Sequence, residues 1–304
     1  MQQQSKWRPY ILTIIGAACW GVIGLFIQPL YDRGFTAWDV VTIRGVLTFI
    51  FLITFMLVSN PKSLKTRWQD HIYFAGAGIL SMVFFNYLYF ETFSQSSLSL
   101  AVTLLYTGPI FVTLLSRIFF KEPLNSNKII ALILAITGCG FVVGLLPSFK
   151  VEVSTKVIVT GILSGVCYSL YTIFTKPVTK RYSALTITTY NFLYTSLFML
   201  IFSKTPSKIE KFAHPDVIGA SIGLAFISTV MAYVLYTAGL KHLEASKASI
   251  LATLEPIVAI LTGVIFLGDV LNTWQISGIV TVMCAAVIVG RNPRMKGQEA
   301  LSRY

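Results

Sequence analysis

The chain has 304 residues, of which 55% are hydrophobic and only 12% are charged. Soluble domains carry about 25% charged residues, so this composition excludes a water-soluble protein and indicates a membrane protein. The net charge of +12 comes without a basic aromatic motif, so we expect no nucleic-acid partner. We attribute the charge to anchoring at the cytoplasmic membrane surface and to attraction for anionic lipid.

Long apolar stretches make up most of the chain. A membrane-spanning helix needs about 20 mostly apolar residues, whereas the strands of a membrane barrel alternate polar and apolar residues. These stretches are continuous, so we predict an all-α integral membrane fold. Ten transmembrane helices are predicted, in chain order: Tyr10–Gln28, Val40–Val58, Ile72–Phe90, Leu98–Phe119, Ile129–Leu146, Val157–Phe174, Leu185–Phe202, Val217–Ala238, Ser246–Leu267 and Trp274–Val289.

Lysine and arginine are concentrated in alternate loops, which predicts the orientation because basic loops resist translocation. With a cytoplasmic N-terminus, the cytoplasmic side carries 17 basic residues: Lys6, Arg8, Lys62, Lys65, Arg67, Arg117, Lys121, Lys128, Lys176, Lys180, Arg181, Lys241, Lys247, Arg291, Arg294, Lys296 and Arg303. The outer side carries six: Arg33, Lys150, Lys156, Lys204, Lys208 and Lys211. We therefore predict that both termini are cytoplasmic.

The chain is also an internal duplication. At an offset of 147 to 148 residues, identical residues recur: Cys19 and Cys167, Pro29 and Pro177, Arg33 and Arg181, Tyr89 and Tyr236, Ser99 and Ser246, Ala101 and Ala248, Pro109 and Pro256, Leu124 and Leu271, Asn125 and Asn272. We predict a first repeat over residues 1–148 and a second over residues 149–304, the latter ending in a short basic tail. Five helices in each copy make the second copy inverted. Inverted repeats are typical of secondary transporters, which bind substrate between the halves.

An enzymatic function finds little support in the sequence. The three histidines lie in loops or at helix ends, and no His-x-x-x-His, acidic pair, phosphate loop or nucleophile elbow is present. The four cysteines fall within apolar segments, where they fit as small apolar side chains. We predict no catalytic site, no metal and no cofactor. The alternative outside transport is a membrane sensor or enzyme that moves no solute.

Glu255 is the acidic residue that lies deepest in a predicted helix. It falls about 14 Å into a hydrocarbon core about 30 Å thick. A charge at that depth is costly and faces protein or a water-filled cavity. Glu255 would suit ion coupling by a proton, or a counter-charge for a cationic substrate. The alternative is a neutral carboxyl that hydrogen-bonds between helices, beside Pro256.

Pro109 and Pro256 occupy equivalent positions in the two copies. Proline removes a backbone hydrogen bond, which the membrane interior tolerates beside a wet cavity or a polar neighbour. Paired helix breaks at matching depth therefore indicate a binding site between the halves, although each could be a packing kink.

Polar and aromatic residues at middle depth are candidates for the walls of this cavity. Tyrosine and tryptophan offer an apolar body with one polar group, which suits a pocket of mixed polarity. The predicted substrate-binding set is Trp20, Asn86, Tyr89, Tyr106, Tyr168, Tyr171 and Tyr236. Arg44 lies about four residues into the second predicted helix. We expect it to pair with Asp39 or Glu91; reaching the interface or holding an anionic substrate are the alternatives.

These motifs resemble those of the EamA-like, ten-helix branch of the drug/metabolite transporter superfamily. The resemblance rests on Trp20-Gly21, Arg44-Gly45, the segment from Pro109 to Leu124, and its repeat from Glu255 to Leu271. It implies two inverted five-helix bundles around a central cavity, with Trp20, Tyr89, Tyr168, Tyr236 and Glu255 in its walls. Departures from the family pattern are Tyr168-Ser169 in place of a second Trp-Gly, Asp269 in place of Glu, and an uncharged Gly108 opposite Glu255.

The sequence thus predicts a secondary transporter, an exporter of small metabolites such as amino acids or amines, in a bacterial-type plasma membrane. Its expected partners are the small-molecule substrate, membrane lipid and, if Glu255 couples transport, protons. An uncoupled facilitator of the same fold is the alternative. The oligomeric state is left open.

Overall fold

The computed structural model describes residues 7–96, 98–147, 154–203 and 205–290. The described residues form helices and connecting turns, without a strand. The predicted basic tail from Arg291, and most of the stretch that joins the two repeats, lie outside the described residues. The helices are α1 Arg8–Asp32, α2 Ala37–Ser59, α3 Trp68–Ser94, α4 Leu100–Phe120 with a first turn from Leu98, α5 Ser126–Val142, α6 Thr155–Val178, α7 Ala184–Phe202, α8 Pro215–Leu240, α9 Ala245–Phe266 and α10 Thr273–Gly290.

The helix lengths fit an integral membrane protein. Nine helices of the described residues are long and apolar enough to cross a membrane. The remaining one, α5, has 17 residues. It begins three residues earlier, and ends four residues earlier, than the predicted Ile129–Leu146. The side chain of Asn125 accepts a hydrogen bond from the amide of Lys128 and starts the helix there. Gly144 follows its end in the left-handed region, at φ +77°.

The outer surface of the bundle is apolar. Val58, Ile201 and Ile265 are 83%, 73% and 72% exposed on α2, α7 and α9. Large exposed apolar surfaces are rare on soluble monomers, and here they cover the sides of long helices, where lipid contact makes them favourable.

Two kinds of interruption fall at equivalent points of the two copies, whereas the break in α1 at Val22 and the π-helical turn of α9 at Gly263–Leu267 have no counterpart in the described parts of α6 and α4. α4 breaks at Tyr106–Thr107 and α9 at Thr253–Leu254. Pro109 and Pro256 each lie in the first turn of the helical segment that follows the break, where a missing N–H leaves no hydrogen bond unmade. Wide π-helical turns likewise interrupt α3 at Gly76–Val83 and α8 at Phe226–Met231. The breaks therefore come just before the prolines and lie at matching depth.

The helices of the two copies interleave. α1 packs on α8 and α9, and α6 packs in the same way on α3 and α4, while α2 pairs with α7 and α5 with α10. If α1 is exchanged with α6, α2 with α7, and so on to α5 with α10, the same set of helix pairs results. Two halves of related structure require such a pattern. The two segments share a common core, and the division at residue 148 stays a prediction about the sequence.

Candidate substrate cavity

A narrow cavity lies in the core where α1 and α3 meet α6 and α8. Its volume is about 20 Å³, room for about one water molecule. Its lining residues are Trp20, Ser81, Met82, Phe85, Tyr168, Tyr171, Thr172, Tyr233 and Tyr236. Both sequence copies contribute to the walls, so the cavity lies between the predicted halves.

Glycines on α1 bring the aromatic walls together. A Cβ on Gly16 would stand 2.8 Å from the carbonyl oxygen of Ala232, and one on Gly21 would stand 2.7 Å from that of Glu255. α1 therefore approaches the backbones of α8 and α9 more closely than any larger residue permits. This approach sets the ring of Trp20 4.9 Å from that of Tyr233 and 5.1 Å from that of Tyr236, between centroids.

Two of the lining tyrosines already have hydrogen-bond partners. The hydroxyl of Tyr171 lies 2.8 Å from that of Thr237, and the hydroxyl of Tyr236 lies 2.8 Å from that of Thr172. Trp20 differs, because its buried indole N–H has no partner among the described residues. A buried unpaired donor is unfavourable. The indole is thus a hydrogen-bond donor that a ligand in the cavity can use.

Opposite charges stand beside this aromatic cavity. The guanidinium carbon of Arg44, on α2, lies 5.9 Å from the ring centroid of Tyr233. Glu255, the first residue after the break in α9, lies within electrostatic range of Arg44 and of the lining residues Tyr168 and Tyr233. No described residue hydrogen-bonds to the Glu255 carboxylate. A basic side chain from the first half and an acidic one from the second therefore stand near this cavity, although neither lines it.

The expected pairing of Arg44 with Asp39 or Glu91 is wrong. Asp39 accepts from Lys208 at 2.6 Å, and it also caps its own helix through Thr36. Glu91 accepts from Lys156 at 2.8 Å. Both carboxylates pair with residues distant in sequence, which leaves Arg44 directed at the ring of Tyr233.

The structure brings together four of the seven residues predicted for the cavity. Trp20, Tyr168, Tyr171 and Tyr236 line it. Their role as substrate contacts, like that of Glu255 in ion coupling, stays a prediction.

Asn86, Tyr89 and Tyr106 do not line this cavity. The amide of Asn86 donates to the carbonyl of Met82 in its own helix, at 2.5 Å. The ring of Tyr89 packs beside those of neighbouring phenylalanines on α3. Tyr106 is 4% exposed and lies in a separate apolar cluster with Cys139. Asn86 is thus hydrogen-bonded within its own helix, and Tyr89 and Tyr106 pack against other side chains. A count of depth along the helix does not reveal this.

The lining residues that the sequence analysis missed are Ser81, Met82, Phe85, Thr172 and Tyr233. One signal was available, since Tyr233 is the counterpart of Asn86 at the offset of 147 residues. Among the residues described here, no group of three or more His, Cys, Asp or Glu side chains comes together as metal ligands would.

Known proteins resemble this chain over nearly its whole length. Residues 7–144 and residues 155–291 each match the sequence profile of the EamA-like transporter family. An uncharacterized transporter of Archaeoglobus fulgidus is 24% identical over 282 residues, 91% of this chain and 94% of that protein. The threonine/homoserine exporter RhtA of Escherichia coli is 24% identical over 293 residues, 94% and 92% of the two chains.

A solved crystal structure has the same fold. It matches with a TM-score of 0.78 over 92% of this chain and 95% of the other, at 13% sequence identity. At that identity the likeness concerns the fold alone. The names of the relatives identify transporters and speak against an enzymatic function, and the apolar helices fit a multi-pass membrane protein.

Proposed function

The chain belongs to the EamA-like transporter family, and from that premise we propose that it exports small zwitterionic metabolites of the amino-acid type. The site of action would be a bacterial-type plasma membrane. The relatives named as threonine/homoserine exporters support this substrate class.

The observation that carries the proposal is the pair of opposite charges beside the aromatic cavity. The guanidinium of Arg44 suits a carboxylate, because its planar fork donates two parallel hydrogen bonds. The carboxylate of Glu255 suits an ammonium group, and the faces of Tyr168 and Tyr233 attract the same cation. An amino acid carries both charged groups a few bonds apart, so it satisfies both residues at once.

The cavity is too small for an amino acid in this conformation. About 20 Å³ admits a single water, so the helices around it must separate before substrate enters. We propose that the halves rock about the cavity and expose it to one side of the membrane at a time.

Proton coupling through Glu255 is the second part of the proposal. A carboxyl group that binds substrate and proton in turn can couple export to a pH gradient. If Glu255 serves only as a counter-charge, the protein is an uncoupled facilitator. The two cases differ in whether substrate accumulates against its gradient.

The test compares three solutes that share one skeleton: threonine, its amine without the carboxylate, and its hydroxy acid without the ammonium. Flux is measured in proteoliposomes with the wild type, Arg44→Gln and Glu255→Gln. We expect Arg44→Gln to reduce flux of threonine and the acid while sparing the amine. Glu255→Gln should reduce flux of threonine and the amine while sparing the acid. Equal loss for all three solutes in both variants would contradict the recognition of a zwitterion.

A further inference from the structure

Glu122, in the loop after α4, holds the first turn of α9. One of its carboxylate oxygens accepts the amide N–H of Ala245 at 2.6 Å. The other accepts the amide of Ser246 at 3.2 Å and its hydroxyl at 2.6 Å. Glu122 is 8% exposed. A carboxylate on the free amides of a helix N-terminus is favourable both as hydrogen bonding and as a charge against the helix dipole.

Within the described residues, no counterpart of this contact is found at the other end of the molecule. At the offset of 147 residues, Glu122 corresponds to Asp269, and Ala245 and Ser246 correspond to Leu98 and Ser99 at the start of α4. Asp269 is exposed, and its carboxylate hydrogen-bonds to no residue that the structure describes. The first segment of α9 packs on the second segment of α4, and the equivalent pair makes no comparable contact within the described ranges.

A second, independent contact shows the same difference. The ammonium group of Lys176, near the end of α6, donates to the carbonyls of Leu240 and Leu243 at the end of α8. Its counterpart at the end of α1 is Gln28, at an offset of 148 residues. Gln28 is exposed and donates to Asp32 in its own helix, at 2.9 Å. At one end, Glu122 therefore joins the loop after α4 to α9, and Lys176 joins α6 to the end of α8. At the other end, the counterparts Asp269 and Gln28 make no such contact among the described residues.

Ion pairs that are made at both ends serve as an internal reference. Arg181 pairs with Asp70 at the same end as Glu122, and Arg33 pairs with Asp216 at the opposite end. Arg33 and Arg181 are counterparts in the repeat. These pairs are made at both ends at once, so the difference between the ends does not extend to every contact.

We infer that Glu122 and Asp269 are positioning residues that alternate during transport. We call the end that holds Glu122, Lys176 and the start of α9 the closed end, and the end that holds Asp269, Gln28 and the start of α4 the open end. When the closed end opens, Glu122 releases α9 and Asp269 binds the amides of Leu98 and Ser99. With the predicted cytoplasmic N-terminus, the structure is open to the outside. The inference rests on the proposed alternating access and is independent of the substrate.

Electron-paramagnetic distance measurements between spin labels test this directly, in full-length protein whose four cysteines are replaced by alanine. One label pair, at Leu124 and Lys241, reports the closed end. The matched pair in the repeat, at Leu271 and Ser94, reports the open end. No substrate is needed, so a wrong substrate class leaves the test intact, and failure here leaves the cavity proposal standing.

We expect Glu122→Ala to shift the ratio of the two states about ten-fold, equivalent to about 1.4 kcal/mol. The closed-end distance should lengthen while the open-end distance shortens. Asp269→Ala alone should remove the minor state with the shorter open-end distance. The double variant Glu122→Ala/Asp269→Ala should return the ratio of the two states towards that of the wild type. Glu122→Asp keeps a carboxylate and should shift the ratio less than Glu122→Ala does.

A purely structural role for Glu122 predicts a different outcome. Glu122→Ala would then lower the unfolding temperature and leave both distances as in the wild type, and Asp269→Ala would not change the effect of Glu122→Ala. Either result overturns the inference. If Glu122→Ala does not fold, Ser246→Ala removes only one of the three contacts, and Asp269→Ala removes no contact made in this state. Unchanged distances in both of these variants also overturn it.

Discussion

The two ends of the molecule are built from equivalent residues, yet they differ in how tightly they are packed. At the closed end Leu240 is fully buried, whereas its counterpart Phe93 at the open end is 44% exposed. Glu122 is buried against α9, and its counterpart Asp269 is exposed. Glu122 and Asp269 both carry a carboxylate, so the sequence does not account for the difference between them, and we attribute it to the conformational state. Lys128 and Lys176 differ from their counterparts Gln275 and Gln28, so their contacts also reflect the sequence.

The largest expected effect concerns Lys128, which is 1% exposed at the closed end and pairs with Glu122 and Glu244. Lys128→Met leaves Glu122 without its buried cation, whereas Glu244 keeps Lys247 at 3.6 Å. Removing one partner of a buried ion pair costs about 3–5 kcal/mol, so we expect a marked fall in the unfolding temperature in detergent. The matched control is Gln275, the counterpart of Lys128 in the repeat.

Gln275→Met removes a hydrogen bond to the amide of Asn272 at the start of α10. A net loss of about 1 kcal/mol is expected for one such bond. Equal destabilisation by Lys128→Met and Gln275→Met would contradict the difference between the ends.

An intermediate effect is expected at Lys176. Lys176→Met removes the hydrogen bonds from one charged, partly buried donor to the carbonyls of Leu240 and Leu243, and we expect the free energy of unfolding to fall by about 1.5–3 kcal/mol in total. Gln28→Ala removes an exposed bond within one helix, and surface changes of this kind stay within about 0.5 kcal/mol. Thermal unfolding of the two variants side by side checks the prediction. A larger loss for Gln28→Ala would reverse the assignment of the ends.

The smallest difference in free energy of unfolding is expected between variants of the two ion pairs that are made at opposite ends, Arg181 with Asp70 and Arg33 with Asp216. Asp70 is 1% exposed and accepts from Arg181 and, at 2.7 Å, from the hydroxyl of Tyr182. Burial raises the pKa of Tyr182, so this phenol stays protonated and donates. Asp70→Asn should therefore cost about 1.5–3 kcal/mol.

Asp216→Asn breaks a pair whose side chains are both 43% exposed, and exposed pairs contribute about 0–1 kcal/mol. Neither variant should change the distances at the two ends. A shift in either distance would show that these pairs also alternate.

Much of the fold was readable from the sequence, because apolar runs and an internal repeat are strong signals. The helices lie close to the predicted segments, apart from α5, where polar Ser126 and Lys128 belong to the first turn and were left out of the apolar run. The helix breaks at Pro109 and Pro256 were predicted at matching depth, although each proline follows its break.

The site was predicted in part, since depth along a helix does not specify which way a side chain points. Trp20 and Tyr168, counterparts in the repeat, both face the cavity, whereas Tyr89 lines no part of it and its counterpart Tyr236 does. The partners of Asp39 and Glu91 lie far away in sequence, so Arg44 could not be placed. Which end is closed could not be predicted, because Glu122 and Asp269 are counterparts in the repeat and both carry a carboxylate.

The most direct test of the transport function is flux through wild-type protein in proteoliposomes loaded with a mixed pool of metabolites and amines, followed by mass spectrometry with and without a pH gradient. We predict that zwitterionic amino acids cross faster than in protein-free liposomes, and that they accumulate only when the gradient is present. Equilibration without accumulation would make the protein a facilitator and assign Glu255 the role of a counter-charge. A pool that crosses no faster than in protein-free liposomes would contradict the proposed export.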